Sequence, residues 1–239
     1  MSYTIRLDAR LSLAYDLYDP CELAADIGTD HAHLPAALLQ RGRCLHMILT
    51  DLSESALANA RNEMIRFRLT DRVTLRAGDG LAPLKESCGM ISVTGMGGRT
   101  VRDILLSGKE KLCGASLVLS AHTDLPLIRD AVTRIGYHLD REEPCFCAGR
   151  YYLVMRARPG ARPVTPREVR LGGPLFDSAS EQLIPYLKRR RDVLENSLRG
   201  LLSAEKPDLP LISSVREDID AYNDFIGKGI KPHERTGTV

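Results

Sequence analysis

The chain has 239 residues, of which 44% are hydrophobic and 5% aromatic, with no Trp, so one α/β domain with a small appendage and an aliphatic core is expected. The formal net charge of +2 does not by itself indicate a nucleic-acid partner. The sequence has no apolar run long enough to span a membrane, no signal-peptide pattern and six scattered cysteines, so we expect a cytoplasmic protein with free thiols.

Apolar periodicity predicts a lead-in helix over residues 5–18 and then strands alternating with helices. The predicted strands are ELAADIG, CLHMILTD, VTLRAGDG, GMISVTGMGG and ASLVLSAHTD, and a helix follows each of them except the third. Ser53 is placed to cap the helix after the second strand. Residues 137–159 read as two more strands joined by a turn. This alternation predicts a parallel sheet covered by helices on both faces, with one antiparallel edge.

The pattern changes near residue 158. Residues 158–175 are rich in Pro and Gly and read as a linker. Helical periodicity returns over 176–204 and 211–226, which predicts a helical hairpin followed by the frayed tail KGIKPHERTGTV. We therefore divide the chain into a domain at 1–157, a linker at 158–175, and a hairpin with its tail at 176–239.

Basic residues concentrate in two segments. Residues 150–170 contain six arginines and one glutamate, a local balance of +5, and KRRR stands at 188–191. Either cluster alone is more often a solvated face, but two of them beside one domain favour a phosphate backbone as partner. The candidate contacts are Arg158, Arg162, Lys188, Arg189, Arg190 and Arg191.

The stretch ADIGTDHAHLP at residues 25–35 raises the question of a metal site or a catalytic Asp-His pair. On a helix, His31 and His33 would point about 200° apart, so they would not share a metal ion. No nucleophile in an elbow motif accompanies the Asp-His pair, which argues against hydrolysis. We therefore expect no metal.

A nucleotide-type cofactor fits the same stretch better. Gly28 permits a tight turn after the first strand, and Asp51 ends the next strand 23 residues later, where a carboxylate commonly accepts hydrogen bonds from ribose. However, Asp30 and Ala32 stand where glycines would help a pyrophosphate approach, and an anionic Asp30 would repel phosphate. A cofactor without phosphate and with a cationic or zwitterionic group is favoured, and S-adenosylmethionine is one.

Two more loops follow predicted strands. GDG at 78–80 places Asp79 where an adenine amino group could be read, and the glycines of TGMGG at 94–98 would let a substrate approach the backbone. Each motif alone is weak. Their order, each at the carboxyl end of a strand, makes the set more specific.

The strings ADIGTDHAHLP, GDGL, TGMGG and GPLF resemble the TrmK family, bacterial tRNA methyltransferases that modify N1 of adenine 22. The resemblance runs from about Leu7 to the C-terminal helices. It implies a class I (Rossmann-like) methyltransferase sheet with a C-terminal helical hairpin, S-adenosyl-L-methionine as cofactor and tRNA as partner. One departure is SAHT at 120–123, where the family has Q-P-N; either His122 replaces the family residues as a polar contact there, or the substrate differs.

The family motif also assigns residues to the cofactor and to the reaction loop. It places Asp26, Gly28, Asp30 and His31 beside the cofactor, Asp51 and Leu52 on the ribose, and Asp79 and Gly80 on the adenine. The segment from Thr94 to Gly98, which includes Gly95 and Met96, would form the reaction loop, and Thr94 and Gly95 would also border the cofactor.

The resulting hypothesis is methyl transfer to ring nitrogen 1 of a tRNA adenine by a monomer or weak dimer, with Asp30, Gly95 and Met96 as catalytic candidates. Asp30 would face the developing positive charge or the amino group of the base, or would only cap a helix starting at His31. The alternatives are methylation of another RNA or a small molecule, an NAD-dependent oxidoreductase, and a non-catalytic RNA-binding protein.

Overall fold

The computed structural model describes residues 5–228, so all of the predicted frayed tail except Lys228 lies outside the described residues. Seven strands form one sheet in the order β3-β2-β1-β4-β5-β7-β6. Strands β1 to β5 pair in parallel, as the alternating pattern predicts. The strands are Cys21–Ile27 (β1), Cys44–Asp51 (β2), Val73–Ala77 (β3), Met90–Val93 (β4), Ser116–Ala121 (β5), Tyr137–Cys147 (β6) and Arg150–Pro159 (β7).

Helices connect the strands and then extend beyond the sheet. They are Ala9–Asp16 (α1), His33–Gln40 (α2), Glu54–Phe67 (α3), Gly98–Ser107 (α4), Leu125–Arg134 (α5), Pro166–Leu171 (α6), Leu183–Leu202 (α7) and Leu209–Lys228 (α8). Ser53 caps α3 as expected, through the N–H of Ala56. Helix α1 is shorter than predicted because the Asp8 carboxylate accepts a hydrogen bond from the N–H of Leu11 and so caps it. No helix within residues 5–228 combines the length and apolarity that a bilayer crossing requires.

The core forms one layer on each face of the sheet, because alternate residues of each strand point to opposite faces. In β1, Ala25 and Ile27 join the layer that is completed by α4, α5 and the C-terminal helices, whereas Ala24 joins the layer completed by α1, α2 and α3. The first turns of α2 and α4 therefore start from opposite sides of the same sheet edge.

The antiparallel strand is not at the edge of the sheet. Strand β7 lies between β5 and β6, so β6 is the edge strand. Ala148 and Gly149 join the two strands with φ of 48° and 77°, the left-handed conformation that a two-residue hairpin turn requires at both positions. Because Ala121 pairs with Leu153, this turn extends beyond the carboxyl end of β5.

The predicted linker at 158–175 is packed structure. Its first two residues still belong to β7, and Thr165 and Glu168 form a capping box at the start of α6. Leu171 and Leu175 are buried in the core. A helical hairpin follows, but α7 begins at Leu183 and not at Phe176, since residues 174–177 form a separate 3-10 turn.

Candidate active site

The loops with the predicted site residues meet at the switch point of the sheet. Strand β1 pairs with β2 on one side and with β4 on the other, so the chain leaves the two strands toward opposite faces and opens a crevice at their carboxyl ends. A cavity of about 200 Å³ lies there. It is lined by Arg10 and Leu11 of α1, by Asp26 and residues 28–35, and by Thr94, Gly95 and Met96.

The loop after β1 has an unusual backbone. Gly28 has φ of 71°, a left-handed conformation that favours glycine, and a Cβ atom there would lie 1.9 Å from the Met96 methyl carbon, so the Met96 side chain would have to move. Asp30 and Ala32 also have positive φ, 41° and 52°. Left-handed residues cannot continue a helix, so α2 begins at His33 and not at His31. No side chain caps α2, so the interpretation of Asp30 as the cap of this helix is wrong.

The two histidines are not on opposite sides of a helix. The His31 and His33 rings stack with centroids 5.7 Å apart and planes 21° apart, because His31 precedes the helix. The nearest carboxylates differ: His31 Nε2 lies 3.6 Å from Asp30 Oδ2, and His33 Nε2 lies 3.7 Å from Glu63 Oε1. Within residues 5–228 no group of three or more metal-ligating side chains converges.

Asp26 is the buried carboxylate of the site. It is 3% exposed and accepts a hydrogen bond from Ser92 Oγ, which in turn accepts one from the Tyr18 hydroxyl at 2.8 Å. Burial raises the pKa of Asp26 to about 6, although the Ser92 hydrogen bond and the Arg10 charge oppose this shift. The fold thus keeps beside the cavity a buried carboxylate whose ionisation costs free energy. Ser92 and Tyr18 are distant in sequence from Asp26, and the sequence does not single them out.

The burial of Asp26 predicts that the stability of the fold depends on pH. The folded Asp26 carboxyl has a pKa of about 6 against an ordinary value of 3.8, so the folded state binds more protons between these values, and stability falls as the pH rises through that window. We expect Asp26→Asn, which keeps an oxygen acceptor for Ser92, to raise the free energy of unfolding by about 2–3 kcal/mol at pH 8. The gain should vanish near pH 4.

Urea unfolding of both proteins at pH 4, 6 and 8 measures this difference. Asp71→Asn, at an exposed carboxylate at the amino end of β3, serves as the matched control and should shift stability little at any pH. Parallel stability profiles of wild type and Asp26→Asn would show that the buried carboxyl does not carry the cost.

Sequence reasoning missed two polar groups of the cavity, Arg10 and Thr29. Arg10 Nη1 is buried without a hydrogen-bond partner. The Arg10 guanidinium lies over the Tyr152 ring, 5.4 Å from its centroid, and Nη1 is 3.8 Å from the position a Gly95 Cβ would take. The Thr29 hydroxyl lies against the Asp26 carboxyl, and its hydrogen bond helps to lower the pKa of Asp26. Buried polar atoms normally have partners, so Arg10 Nη1 indicates a polar ligand. A signal existed for Arg10, because it interrupts the apolar stripe of the lead-in helix.

The loop after β2 contacts Asp30 of the cavity lining, but neither this loop nor the loop after β3 lines the cavity itself. Asp51 Oδ2 accepts from the Asp30 N–H at 3.3 Å and Oδ1 accepts from the Ser53 N–H at 2.9 Å, so the carboxylate is oriented but retains lone pairs. Leu52 is 72% exposed beside it, an apolar surface suited to a ring. Asp79 is exposed, and Gly80 has φ of 50°. The predicted cofactor residues are therefore brought together along one edge.

Three of the six basic candidates for RNA contact have partners within the protein. Arg158 pairs with Asp19 at 2.8 Å and with Asp140 at 2.9 Å. Arg190 lies against Tyr186 and Tyr222, and Arg191 pairs with Asp192 at 2.8 Å. By contrast, Arg162, Lys188 and Arg189 have exposed side chains.

Comparison with known proteins places this geometry in a family. A family model described as a methyltransferase domain matches residues 7–155. A tRNA (adenine(22)-N(1))-methyltransferase of Bacillus subtilis (strain 168) is 27% identical over 200 residues, which cover 81% of this chain and 83% of the relative.

Solved structures share the fold over nearly the whole chain. The B. subtilis m1A22 tRNA methyltransferase TrmK superposes with a TM-score of 0.82 at 22% identity, covering 93% of this chain and 99% of that one. M. capricolum TrmK in complex with S-adenosyl-homocysteine gives 0.77 at 22% identity, covering 92% and 98%. The domain match covers more than half of the chain, and with the switch-point cavity it shows that this protein belongs to the methyltransferase-domain family.

Proposed function

We propose that this protein methylates N1 of adenine 22 in tRNA with S-adenosylmethionine as methyl donor. The observation that carries the proposal is the switch-point cavity, in which Arg10 Nη1 is buried without a hydrogen-bond partner and the Asp26 carboxylate is buried close to the Arg10 charge. A set of both charges suits a zwitterionic ligand. The substrate is inferred from the similar proteins, which are tRNA methyltransferases acting on adenine 22.

The residues present fit the cofactor. Arg10 would bind the carboxylate of its amino acid part, Asp51 and Leu52 would border the ribose, and Asp79 and Gly80 the adenine. The two carboxylates at the cavity disfavour a pyrophosphate, which argues against NAD. When bound, the cofactor supplies an electrophilic methyl group on a sulfonium.

The chain itself has to position the base and stabilise charge. Adenine N1 has a free lone pair, so no residue needs to remove a proton before attack, but the ring gains positive charge on methylation. Asp30 is the exposed carboxylate at the mouth of the cavity and is suited to face that charge. Gly95, with φ of 86°, and Met96 form another wall of the cavity, and because Gly95 has no side chain a substrate can approach the backbone there.

The direct test uses unmodified tRNA transcripts and labelled S-adenosylmethionine, followed by mapping of the modified nucleoside. We expect the label in 1-methyladenosine at position 22. A transcript with guanine at position 22 is the matched control and should take up no such label. Label at another nucleotide, or only in a small molecule, would overturn the substrate assignment and would favour methylation of another RNA or of a small molecule.

The role of Asp51 leads to a binding prediction. Asp51→Ala removes a charge-assisted hydrogen bond to ribose and should weaken cofactor binding by about 1–3 kcal/mol. The carboxylate is at a strand end rather than in the core, so the fold should persist. Calorimetric titration measures the affinity, with Asp71→Asn as control. Unchanged affinity would remove Asp51 from the site.

The exposed basic residues lead to a second binding prediction. Lys188→Glu with Arg189→Glu should weaken tRNA binding and reduce its dependence on salt, because each phosphate contact adds to that slope. Cofactor affinity should not change. Arg190 and Arg191 are left intact because they have partners within the hairpin.

Titrations over a range of salt concentrations measure this effect, and Lys109→Glu with Lys111→Glu, in the exposed turn after α4, is the matched control. Equal tRNA affinity for wild type and the α7 variant would mean that this face of α7 is only solvated.

A further inference from the structure

We propose that a second pocket, between the tip of the β6–β7 hairpin and α7, binds an unstacked nucleotide that neighbours the methylated adenine. The inference rests on the proposed function and extends it to how the RNA is held. The pocket has a volume of about 380 Å³. Among the residues that line it are Phe146, Arg150, Tyr151, Tyr186, Arg189 and Arg190.

The chemistry of this lining matches a nucleotide. Three arginines line the pocket and no carboxylate does, so its charge complements a phosphate. Phe146 and Tyr151 are cross-strand partners with ring centroids 4.9 Å apart, and Tyr151 contacts Tyr186 at 5.8 Å. Phe146 remains 50% exposed at the end of this aromatic row. Exposed aromatic rings beside arginines are the usual platform for an unstacked base.

The larger cavity near the C-terminus differs in charge. It lies between α6 and α8, and Glu168 and Asp224 line it together with Arg167 and Lys228. These charges balance, so that cavity shows no preference for phosphate. The pocket at the hairpin tip combines uncompensated positive charge with stacking surface.

The hairpin pocket is also close to the reaction loop. The His122 ring packs edge-on against Tyr152 with centroids 5.3 Å apart, and Tyr152 lies under the guanidinium of Arg10, which borders Gly95. Two ring contacts therefore separate the pocket from the cavity. The hairpin turn extends roughly 10 Å past the strand end at Leu153, which brings Phe146 to the same edge of the sheet. A base next to the target can reach it while the target occupies the reaction loop.

Because the chain contains no Trp, Phe146→Trp places a single indole in this pocket, which can be excited at wavelengths where tyrosine does not absorb. With S-adenosylhomocysteine present to prevent turnover, we expect its emission to fall as unmodified tRNA saturates the protein, since stacked bases quench indole fluorescence. Leu45→Trp is the matched control, because Leu45 is similarly exposed at 53% but lies at the amino end of β2. Its emission should not change. Gel retardation measures tRNA binding independently.

Activity provides the second readout. Phe146→Ala should lower kcat/KM for tRNA roughly 10- to 100-fold, the scale of one lost stacking contact, while cofactor affinity stays constant. Phe146→Tyr should restore most of it. The pocket assignment alone would be overturned if the emission of Phe146→Trp did not change although gel retardation showed bound tRNA and, in a separate assay, the wild type methylated adenine 22. Failure of wild-type protein to bind tRNA would overturn the pocket and the proposed function together.

Discussion

Asp30→Asn is expected to lower turnover on tRNA by roughly 100-fold or more, the usual effect of removing one positioned electrostatic group. The substitution keeps the shape of the side chain and removes only its charge. Asn tolerates the φ of 41° at this position as well as Asp does, and the backbone N–H can still donate to Asp51. Cofactor affinity should therefore change little.

The fold excludes the simplest alternative for Asp30. A capping residue would be replaced by Asn without loss, but α2 begins at His33 and is not capped by a side chain. Single-turnover rates with saturating cofactor and tRNA measure the effect, and Asp71→Asn is the control with a charge removed far from the cavity. Near-normal turnover of Asp30→Asn would contradict a catalytic role and leave Asp30 as a loop residue beside the cofactor.

Arg129→Met is expected to lower the free energy of unfolding by about 3–5 kcal/mol, because it leaves a buried carboxylate without its cation. Arg129 is 4% exposed and Glu142 is fully buried, and the guanidinium donates to Glu142 Oε1 at 2.7 Å. Arg129 also donates to the carbonyl oxygens of Val169 and Arg170, while Glu142 accepts from the N–H of Leu175. The pair thus joins α5 and β6 to the packed segment that precedes the hairpin.

A double variant separates lost packing from the unpaired charge. Arg129→Met combined with Glu142→Gln keeps an acceptor for Leu175 but contains no buried charge, so it should recover part of the loss. Burial already raises the pKa of Glu142 while Arg129 lowers it. The single variant should therefore be least stable at high pH and should recover as the pH falls and Glu142 becomes protonated.

Urea unfolding at pH 5 and pH 8 measures both effects. Arg134→Met, on the same helix with a side chain that is 61% exposed, is the control and should change stability little. A loss that is equal at both pH values, and is not reduced in the double variant, would show that packing rather than charge dominates.

Local sequence patterns were sufficient to predict much of the fold and of the candidate site. Alternating apolar runs and helical periodicity predict the order of strands and helices, because burial on a pleated or helical surface imposes its period on neighbouring residues. Polar and glycine residues after successive strands, such as Gly28, Asp51 and Asp79, could be expected to meet because parallel strands end at one edge. The resemblance of the same loops to a known family adds the cofactor and the substrate.

Only the tertiary structure decided how distant residues combine. Arg10 reaches the cavity because α1 packs over strands β5 to β7, and Ser92 reaches Asp26 because β4 pairs with β1, while Tyr18, just after α1, donates to Ser92. Left-handed backbone at Asp30 and Ala32 moved the start of α2 and brought the two histidines together.

Charge clusters were the least predictable feature. Arg158 and Arg190 belong to basic runs in the sequence, but Arg158 pairs with Asp19 and Asp140, and Arg190 hydrogen-bonds Tyr222, all of which lie in other parts of the fold. A count of charges contains no information about which of them will be neutralised, because an ion pair depends on long-range packing. For the same reason a Pro- and Gly-rich segment became packed structure once Leu171 and Leu175 found apolar surface to cover. Periodicity is a local property of a sequence, whereas pairing and burial are properties of the folded chain.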